Sequence, residues 1–305
     1  NVYHEVLKLP FSSTPVSIEG LPMLLELQDL PSFVALPDSY PANVEMIMRQ
    51  FANLDKADWI LINTFYKLEN QVVDTMSKVC PTLTIGPTLP SMYLDKRIED
   101  EDDHGIDLHE VDASVSIKWL SNNPSASVVY VSFGSIDSLS NKQMEDIAWG
   151  LKRSNFHFLW AVRDSEKGKL PKGFVEEKGN MGLLVNWSPQ AVGCFFTHCG
   201  WNSTIEALRL GVPMVTMPGW SDQPTNSKLV QDAWKVGIRA KVDEDGLVKS
   251  EEIASCIKEV MEGVRGREMR KNSKKWKELA IEAVSEGGTS NTNINQLVTI
   301  LPNTK

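Results

Sequence analysis

The sequence predicts an α/β fold built on a doubly wound parallel sheet. Three observations predict it. From about residue 113 onward, short apolar runs alternate with stretches of helical periodicity. Those runs are apolar at nearly every position, as strands covered on both faces are. Residues 56–86 already form one strand–helix–strand unit, the building block of a parallel sheet.

The first fifty residues carry six prolines (Pro10, Pro15, Pro22, Pro31, Pro37 and Pro41) and no strand-like run that would open a domain. They read as loops and short helices, and the chain is expected to begin in the middle of a domain. "KADWILINT" (56–64) is a strand centred on Trp59–Ile62. A helix follows, with Leu68, Val72, Val73 and Met76 on one face, and "LTIG" (83–86) is the next strand, closed by Gly86-Pro87. Residues 95–112, "DKRIEDEDDHGIDLHEVD", are acidic and nearly free of aromatics, which marks a linker or surface loop. His104 and His109 stand there without the spacing of a metal site, so a solvated linker is the preferred reading.

After the linker the rhythm is regular. "SVVYVSF" (127–133) is a strand. Ser140 caps a helix running to about Leu151, with Met144, Ile147 and Leu151 inward. Strands follow at 156–162, 182–187, 191–196 and 213–217, then a helix over 226–236 and a strand over 237–242. Ser250 is expected to cap a helix whose first turn holds Glu251 and Glu252, where carboxylates favour the dipole. A last helix, 270–285, stops at Gly287-Gly288. One place breaks the pattern. Only Trp187 to Ala191 separate two strands that read as parallel neighbours, and such neighbours need a crossover of about a dozen residues or more. A short helix is therefore expected to be missing after Gln190.

Composition narrows the function. With 305 residues, 42% apolar and 23% charged, the chain is globular and long enough for two domains. A net charge of −9 argues against a nucleic-acid partner. The basic run at 265–277 is interrupted by Glu268 and reads as a solvated helix face. Four scattered cysteines without a CxxC pair fit a reducing, cytoplasmic compartment. No apolar run has the length of a membrane span, and the first ten residues lack the pattern of a signal peptide.

The chemistry gathers in four polar loops, each directly after a strand. In "FFTHCGWNSTIEAL" (195–208), Trp201, Ile205 and Leu208 fall on one helix face and Asn202, Ser203 and Glu206 on the other. Free N–H groups of the first turn and the helix dipole form an anion site without a cation, and Gly200 lets a ligand approach the backbone. His198, Asn202 and Ser203 add donors, and Glu206 is an acceptor suited to sugar hydroxyls. A capped surface helix carrying a stray histidine would read much the same. Gly134-Ser135, after the strand ending at Phe133, offers an N–H and a hydroxyl; alone it is an ordinary turn. "WSPQ" (187–190) offers the flat face of Trp187 and the amide of Gln190, unless Trp187 is a core residue. "PGWSDQPTN" (218–226) holds Asp222 and Gln223 between two prolines, a pair suited to hexose hydroxyls or simply a rigid polar turn. Together the four loops describe a nucleotide-sugar site. A dinucleotide oxidoreductase is disfavoured, because GxGxxG is absent.

These segments resemble the nucleotide-sugar signature of plant secondary-metabolite UDP-glycosyltransferases, with "WSPQ", "THCGWNSTIEAL", "GVPMVTMP" and "WSDQPTN" all matching. The similarity extends from "LPSF" to the terminal helix. It implies the GT-B fold, two facing Rossmann-like doubly wound domains, the first one incomplete here. The implied boundaries are 1–90 for the remainder of the acceptor-binding domain, 91–113 for the linker, 114–285 for the nucleotide-sugar domain and 286–305 for a tail returning to the first domain. The resemblance implies that Trp187 stacks on uracil, Gln190 contacts the ribose side and Glu206 holds ribose hydroxyls. His198, Asn202, Ser203 and Ser135 would hold the diphosphate; Trp220, Asp222 and Gln223 the sugar; Trp201 also belongs to the donor set. Gln223 as the last signature residue implies glucose.

Two departures stand out. The signature is short by about seven residues, roughly two helical turns, where the strand argument found a helix missing. The family's catalytic His–Asp dyad matches no residue here, and His4 has no comparable context. The expected function is inverting, metal-independent transfer of glucose from UDP-glucose, a co-substrate, with no cofactor. It would go to a hydroxyl or carboxyl of a small hydrophobic acceptor, and the protein is expected to be a monomer. The competing reading is a non-catalytic nucleotide-sugar-binding fragment or pseudoenzyme.

Overall fold

A computed structural model describes residues 9, 11, 14–89, 113–135, 138–185 and 192–300. The expectations for His4, His104, His109, Trp187, Gln190 and a helix missing after Gln190 fall outside these described residues. The chain divides into two compact units. One comprises Asn1–Asp102, Trp220–Thr225 and Lys275–Lys305; the other comprises Asp103–Gly219 and Asn226–Lys274.

The first unit opens as the prolines predict, with short pieces. Strands β1 (Val16–Ser17) and β2 (Leu24–Leu25) pair antiparallel. Helix α1 (Ser32–Ala35) and helix α2 (Pro41–Gln50) follow. Pro41 is the first residue of α2, where its fixed φ suits the helix and its missing N–H has no intrahelical partner to lose. Strand β3 (Ile60–Ile62), helix α3 (Tyr66–Ser77) and strand β4 (Thr82–Thr84) then form the expected parallel unit, with Leu61 opposite Leu83. Leu68 and Val73 are buried. Val72 and Met76 instead line an apolar cavity of about 530 Å³ with Phe33, Ile47 and Met48.

The second unit carries the main sheet. Its elements begin with α4 (Ala113–Ser121), β5 (Val128–Ser132), α5 (Asn141–Ser154) and β6 (His157–Ala161). Next come α6 (Asp164–Lys167), α7 (Phe174–Glu177), β7 (Gly182–Val185) and β8 (Cys194–Thr197). Then follow α8 (Trp201–Leu210), β9 (Met214–Thr216), α9 (Gln223–Lys228), of which Asn226–Lys228 belong to this unit and Gln223–Thr225 to the first, β10 (Gly237–Arg239) and α10 (Ser250–Glu262). Helix α11 (Val264–Val284) begins in this unit and ends in the first, which also contains α12 (Thr289–Ile300).

The sheet order is β7-β6-β5-β8-β9-β10, and every neighbouring pair is parallel. This is the doubly wound order, with its switch point between β5 and β8. Ser132 lies opposite Thr197, so the two strands end level and their following loops leave from adjacent positions. One face of the sheet packs Val129, Val131 and Phe196 among Met144, Ile147 and Leu151 of α5 and Ile253 of α10. On a strand, alternate residues face opposite sides, and on the other side Tyr130 and Phe195 stack with ring centres 5.0 Å apart. Ser140 caps α5 as predicted, its Oγ accepting from the Gln143 N–H at 3.1 Å.

Several expectations are corrected. Strands β7 and β8 are not the neighbours the sequence suggested: β6 and β5 lie between them. Ser250 does not cap α10. Lys249 occupies that position, and the Ser250 N–H donates to Asp146 Oδ1 of α5 at 3.0 Å. The helix expected over 226–236 begins earlier, at Gln223, and passes into a π-helical turn at Leu229–Ala233. The last helix starts at Val264, and beyond Gly287-Gly288 a further helix forms. That helix is held to β4 by Asn293 Nδ2 donating to Thr84 O at 2.9 Å and Ser290 Oγ donating to Gly86 O at 2.6 Å. In the basic run Arg270 is not purely solvated, since Nη1 donates to Val260 O and Met261 O at the end of α10.

Candidate functional site

The loops after β5 and β8 meet at the switch point. The first turns at Gly134, whose φ of +74° lies in the left-handed region that a residue without Cβ occupies at little cost. The second runs Thr197-His198-Cys199-Gly200 into α8. Cys199 is also left-handed (φ +67°), a strained choice for a side-chain-bearing residue. Its surroundings over-determine it. The Cys199 N–H donates to Thr197 Oγ1 at 3.1 Å, and Asn226 Nδ2 of α9 donates to the Cys199 carbonyl at 3.0 Å. Thr204 Oγ1 donates back to Gly200 O at 3.0 Å. Thr197, Cys199 and Thr204 are fully buried, which makes this turn part of the core rather than a free loop.

His198 is thereby fixed between two glycines. A Cβ placed on Gly134 would stand 2.7 Å from His198 Nε2, and one on Gly200 would stand 2.6 Å from the same nitrogen. Gly200 is also the N-cap of α8 and has no side chain to satisfy the first-turn N–H groups. An anion is the natural partner of such a helix end. Asn202 is exposed and Ser203 half-buried in that first turn. Ser135 is exposed, and its carbonyl accepts from Arg163 Nη1 at 2.6 Å. Arg163 was not foreseen. Its signal was positional, just past the end of β6, the strand beside β5. Asn226 lay inside the quoted 218–226 segment and also received no role there.

Trp201 is half-buried against Trp234, ring centres 6.3 Å apart, as its apolar face predicts. Glu206 departs from expectation. The helix wheel put it on an open polar face, but it is half-buried beside Tyr130, Val192, Phe195 and Leu210. Burial pushes its carboxyl pKa above the ordinary value. Trp220, Asp222 and Gln223 follow β9. Gln223 is buried, and its Oε1 accepts from the Trp220 N–H at 3.0 Å, which locks the two ends of the "WSDQ" turn together. Ser221 between them is left-handed at φ +60°. None of the four cysteines forms a disulfide, and all four are buried. Among the described residues, no helix is long and apolar enough to cross a membrane.

Residues 95–276 match the family model described as UDP-glucoronosyl and UDP-glucosyl transferase. UDP-glycosyltransferase 74F2 of Arabidopsis thaliana is 53% identical over 296 residues, covering 94% of this chain and 65% of its own length. The flavonol 7-O-beta-glucosyltransferase UGT74F1 of the same plant is 51% identical, with the same shares covered. The chain thus spans just under two thirds of these curated relatives. Among solved structures, Os79 from O. sativa in complex with UDP superposes with a TM-score of 0.87 at 39% identity, over 92% of this chain and 64% of that one.

Proposed function

This chain belongs to the UDP-glucoronosyl and UDP-glucosyl transferase family, with an α/β fold of the GT-B type, and we propose that it binds the donor of an inverting UDP-glucose-dependent glycosyltransferase. The observation that carries this reading is the His198 imidazole held between Gly134 and Gly200 at the uncapped start of α8. There the diphosphate meets His198, the N–H groups and hydroxyl of Asn202 and Ser203, and the Ser135 loop. Glu206 accepts the ribose hydroxyls, and Trp220, Asp222 and Gln223 read the glucose. Trp187 and Gln190 take the uracil and ribose side.

In the transfer step the acceptor oxygen attacks the anomeric carbon from the face opposite UDP. The C–O bond to the β-phosphate breaks, and the leaving charge is stabilised by preorganised donors and the helix end. A general base takes the acceptor proton. The resemblance gives this task to a His–Asp pair that no residue of these 305 matches. Acceptors are small hydrophobic hydroxyl or carboxyl compounds, a reading supported by the flavonol named for one relative. The 530 Å³ cavity is not assigned to them. It lies by Ile60 at the amino end of β3 and Val79 beyond α3, whereas ligands of parallel sheets bind at the carboxyl ends of strands. The protein is proposed to act as a monomer in the cytosol, the latter supported by four cysteines that form no disulfide.

The test is calorimetric titration with UDP in excess EDTA, followed by UDP-glucose assays against phenols, terpenoid alcohols and small acids. Binding unchanged by EDTA is expected. Binding lost in EDTA and restored by magnesium or manganese would refute the metal-free diphosphate site. No UDP binding under either condition would refute the donor reading itself.

A further inference from the structure

The turn that reads the sugar is not shaped by its own sequence alone. It follows β9, yet Trp220–Thr225 packs as part of the first unit, on residues 29–40. Three contacts make that attachment. Thr225 Oγ1 donates to the Asp29 carbonyl at 2.7 Å. The Ser32 N–H donates to the Ser221 carbonyl at 2.9 Å. The Tyr40 ring lies 6.5 Å from the Trp220 ring, tilted by 56°.

The platform is itself fixed. Asp29 and Leu30 are buried, and the Glu26 N–H donates to Asp29 Oδ2 at 3.1 Å. Ser221 sits in a left-handed conformation that a serine holds only when its neighbours impose it. The neighbour bonded to its carbonyl is Ser32. Within the turn the Gln223 amide is oriented by the Trp220 N–H. The contact between Thr225 and Asp29 fixes the segment two residues beyond Gln223, and that between Tyr40 and Trp220 fixes the segment before Asp222.

We infer that Thr225, Ser32 and Tyr40 are positioning residues for donor-sugar selection, setting the Trp220–Gln223 turn through the 29–40 segment. The inference rests on the donor reading above. It adds that sugar discrimination depends on residues outside Trp220–Gln223, while affinity for the nucleotide does not. A sugar epimer differs by the direction of one hydroxyl, so a small displacement of Asp222 and Gln223 changes which epimer is accepted. The diphosphate partners His198, Asn202 and Ser203 are not involved.

The variants are chosen to remove single contacts. Thr225→Val deletes the donor at nearly constant shape, and Thr225→Ser restores it. Ser32→Pro removes the N–H together with the hydroxyl, and Ser32→Ala, which removes the hydroxyl alone, is its control; Ser32 opens α1 and follows Pro31 at ψ 136°, an angle compatible with a following proline. Tyr40→Leu removes the ring. UDP, UDP-glucose and UDP-galactose are titrated calorimetrically into each full chain. The expected result is a fall of about two- to tenfold in the preference for UDP-glucose over UDP-galactose for Thr225→Val and Ser32→Pro. UDP affinity stays within about twofold of the wild type, and Thr225→Ser regains the preference. An unchanged preference, or a wild-type chain that does not distinguish the epimers, would overturn the inference. So would parallel loss of UDP and both sugars, since the contacts would then be merely structural. A wild-type chain that fails to bind UDP sinks the donor reading first, which separates the two failures.

Discussion

Gly134 and His198 touch so closely that neither position is independent of the other. Gly134 holds a φ of +74°, and a single added Cβ would lie 2.7 Å from His198 Nε2. Gly134→Ala is therefore expected to cost about 1 kcal/mol of backbone strain and to displace the imidazole. UDP binding should weaken about tenfold, while melting falls only slightly. Calorimetry and a thermal melt on the same sample check this. Full UDP affinity in the alanine variant would show that the ring is not a diphosphate ligand.

Glu206 gives a prediction with a sign. Burial raises its folded pKa above the ordinary value of 4.5. A carboxyl with a raised folded pKa contributes stability that is fully present below the unfolded pKa and is lost as pH rises through the folded one. Glu206→Gln should therefore raise the melting temperature at neutral pH and leave it unchanged near about pH 3.5, where both states are protonated. Ligand binding runs the other way. If the carboxylate accepts both ribose hydroxyls, Glu206→Ala weakens UDP by about 1.5–3 kcal/mol. Wild-type affinity should also fall with pH from neutral toward 4.5 more steeply than that of Glu206→Gln. Parallel pH profiles for the two proteins would remove Glu206 from the ribose site.

How far these features could be read in the sequence depends on whether they are local. Met144, Ile147 and Leu151 repeat at helical spacing behind a serine, so α5 and its cap were legible. Ser250 offers the same capping chemistry, but its N–H is taken by Asp146 from another helix, and tertiary contact overrides the local signal. The π-helical turn at Leu229–Ala233 leaves no periodicity of its own in so short a run. The place of β8 beside β5 rather than β7 was hidden, because crossovers do not state which strand they return to. The placement of His198, Asn202 and Ser203 between β8 and the first turn of α8 was readable from a polar loop directly after a buried strand. The burial of Glu206 was not, since a helix wheel shows a face but not the Tyr130 and Phe195 rings beneath it.

The cysteines are expected to be silent in the native state. All four are buried, and burial drives the thiols of Cys194 and Cys256 up to about 12, far from the reactive thiolate form. A chromogenic disulfide reagent at pH 8 should find almost no reactive thiol until denaturant is added, and then all four. Fast labelling of Cys199 in the folded protein would mean that the turn before α8 opens readily. That would undermine the proposed anion site.

Phe196 links the core to the site. It is fully buried on β8, and its ring meets that of Phe133 edge-on at 5.2 Å, so the two residues support the ends of the strands that flank the switch point. Phe196→Ala leaves a cavity directly under both loops. The expected cost is about 3–5 kcal/mol, a drop of roughly 10–15 °C in melting temperature for a unit of this size. Because the proposed diphosphate donors follow the same strand ends, saturating UDP should restore part of that loss. At about 100 times Kd the recovery by mass action is about 2.7 kcal/mol. Thermal melts of both proteins, with and without UDP, measure the cost and the recovery. A melting point unmoved by the substitution would show that the ring is dispensable to the core. A large loss that UDP does not offset at all would show that the cavity has disorganised the anion site as well.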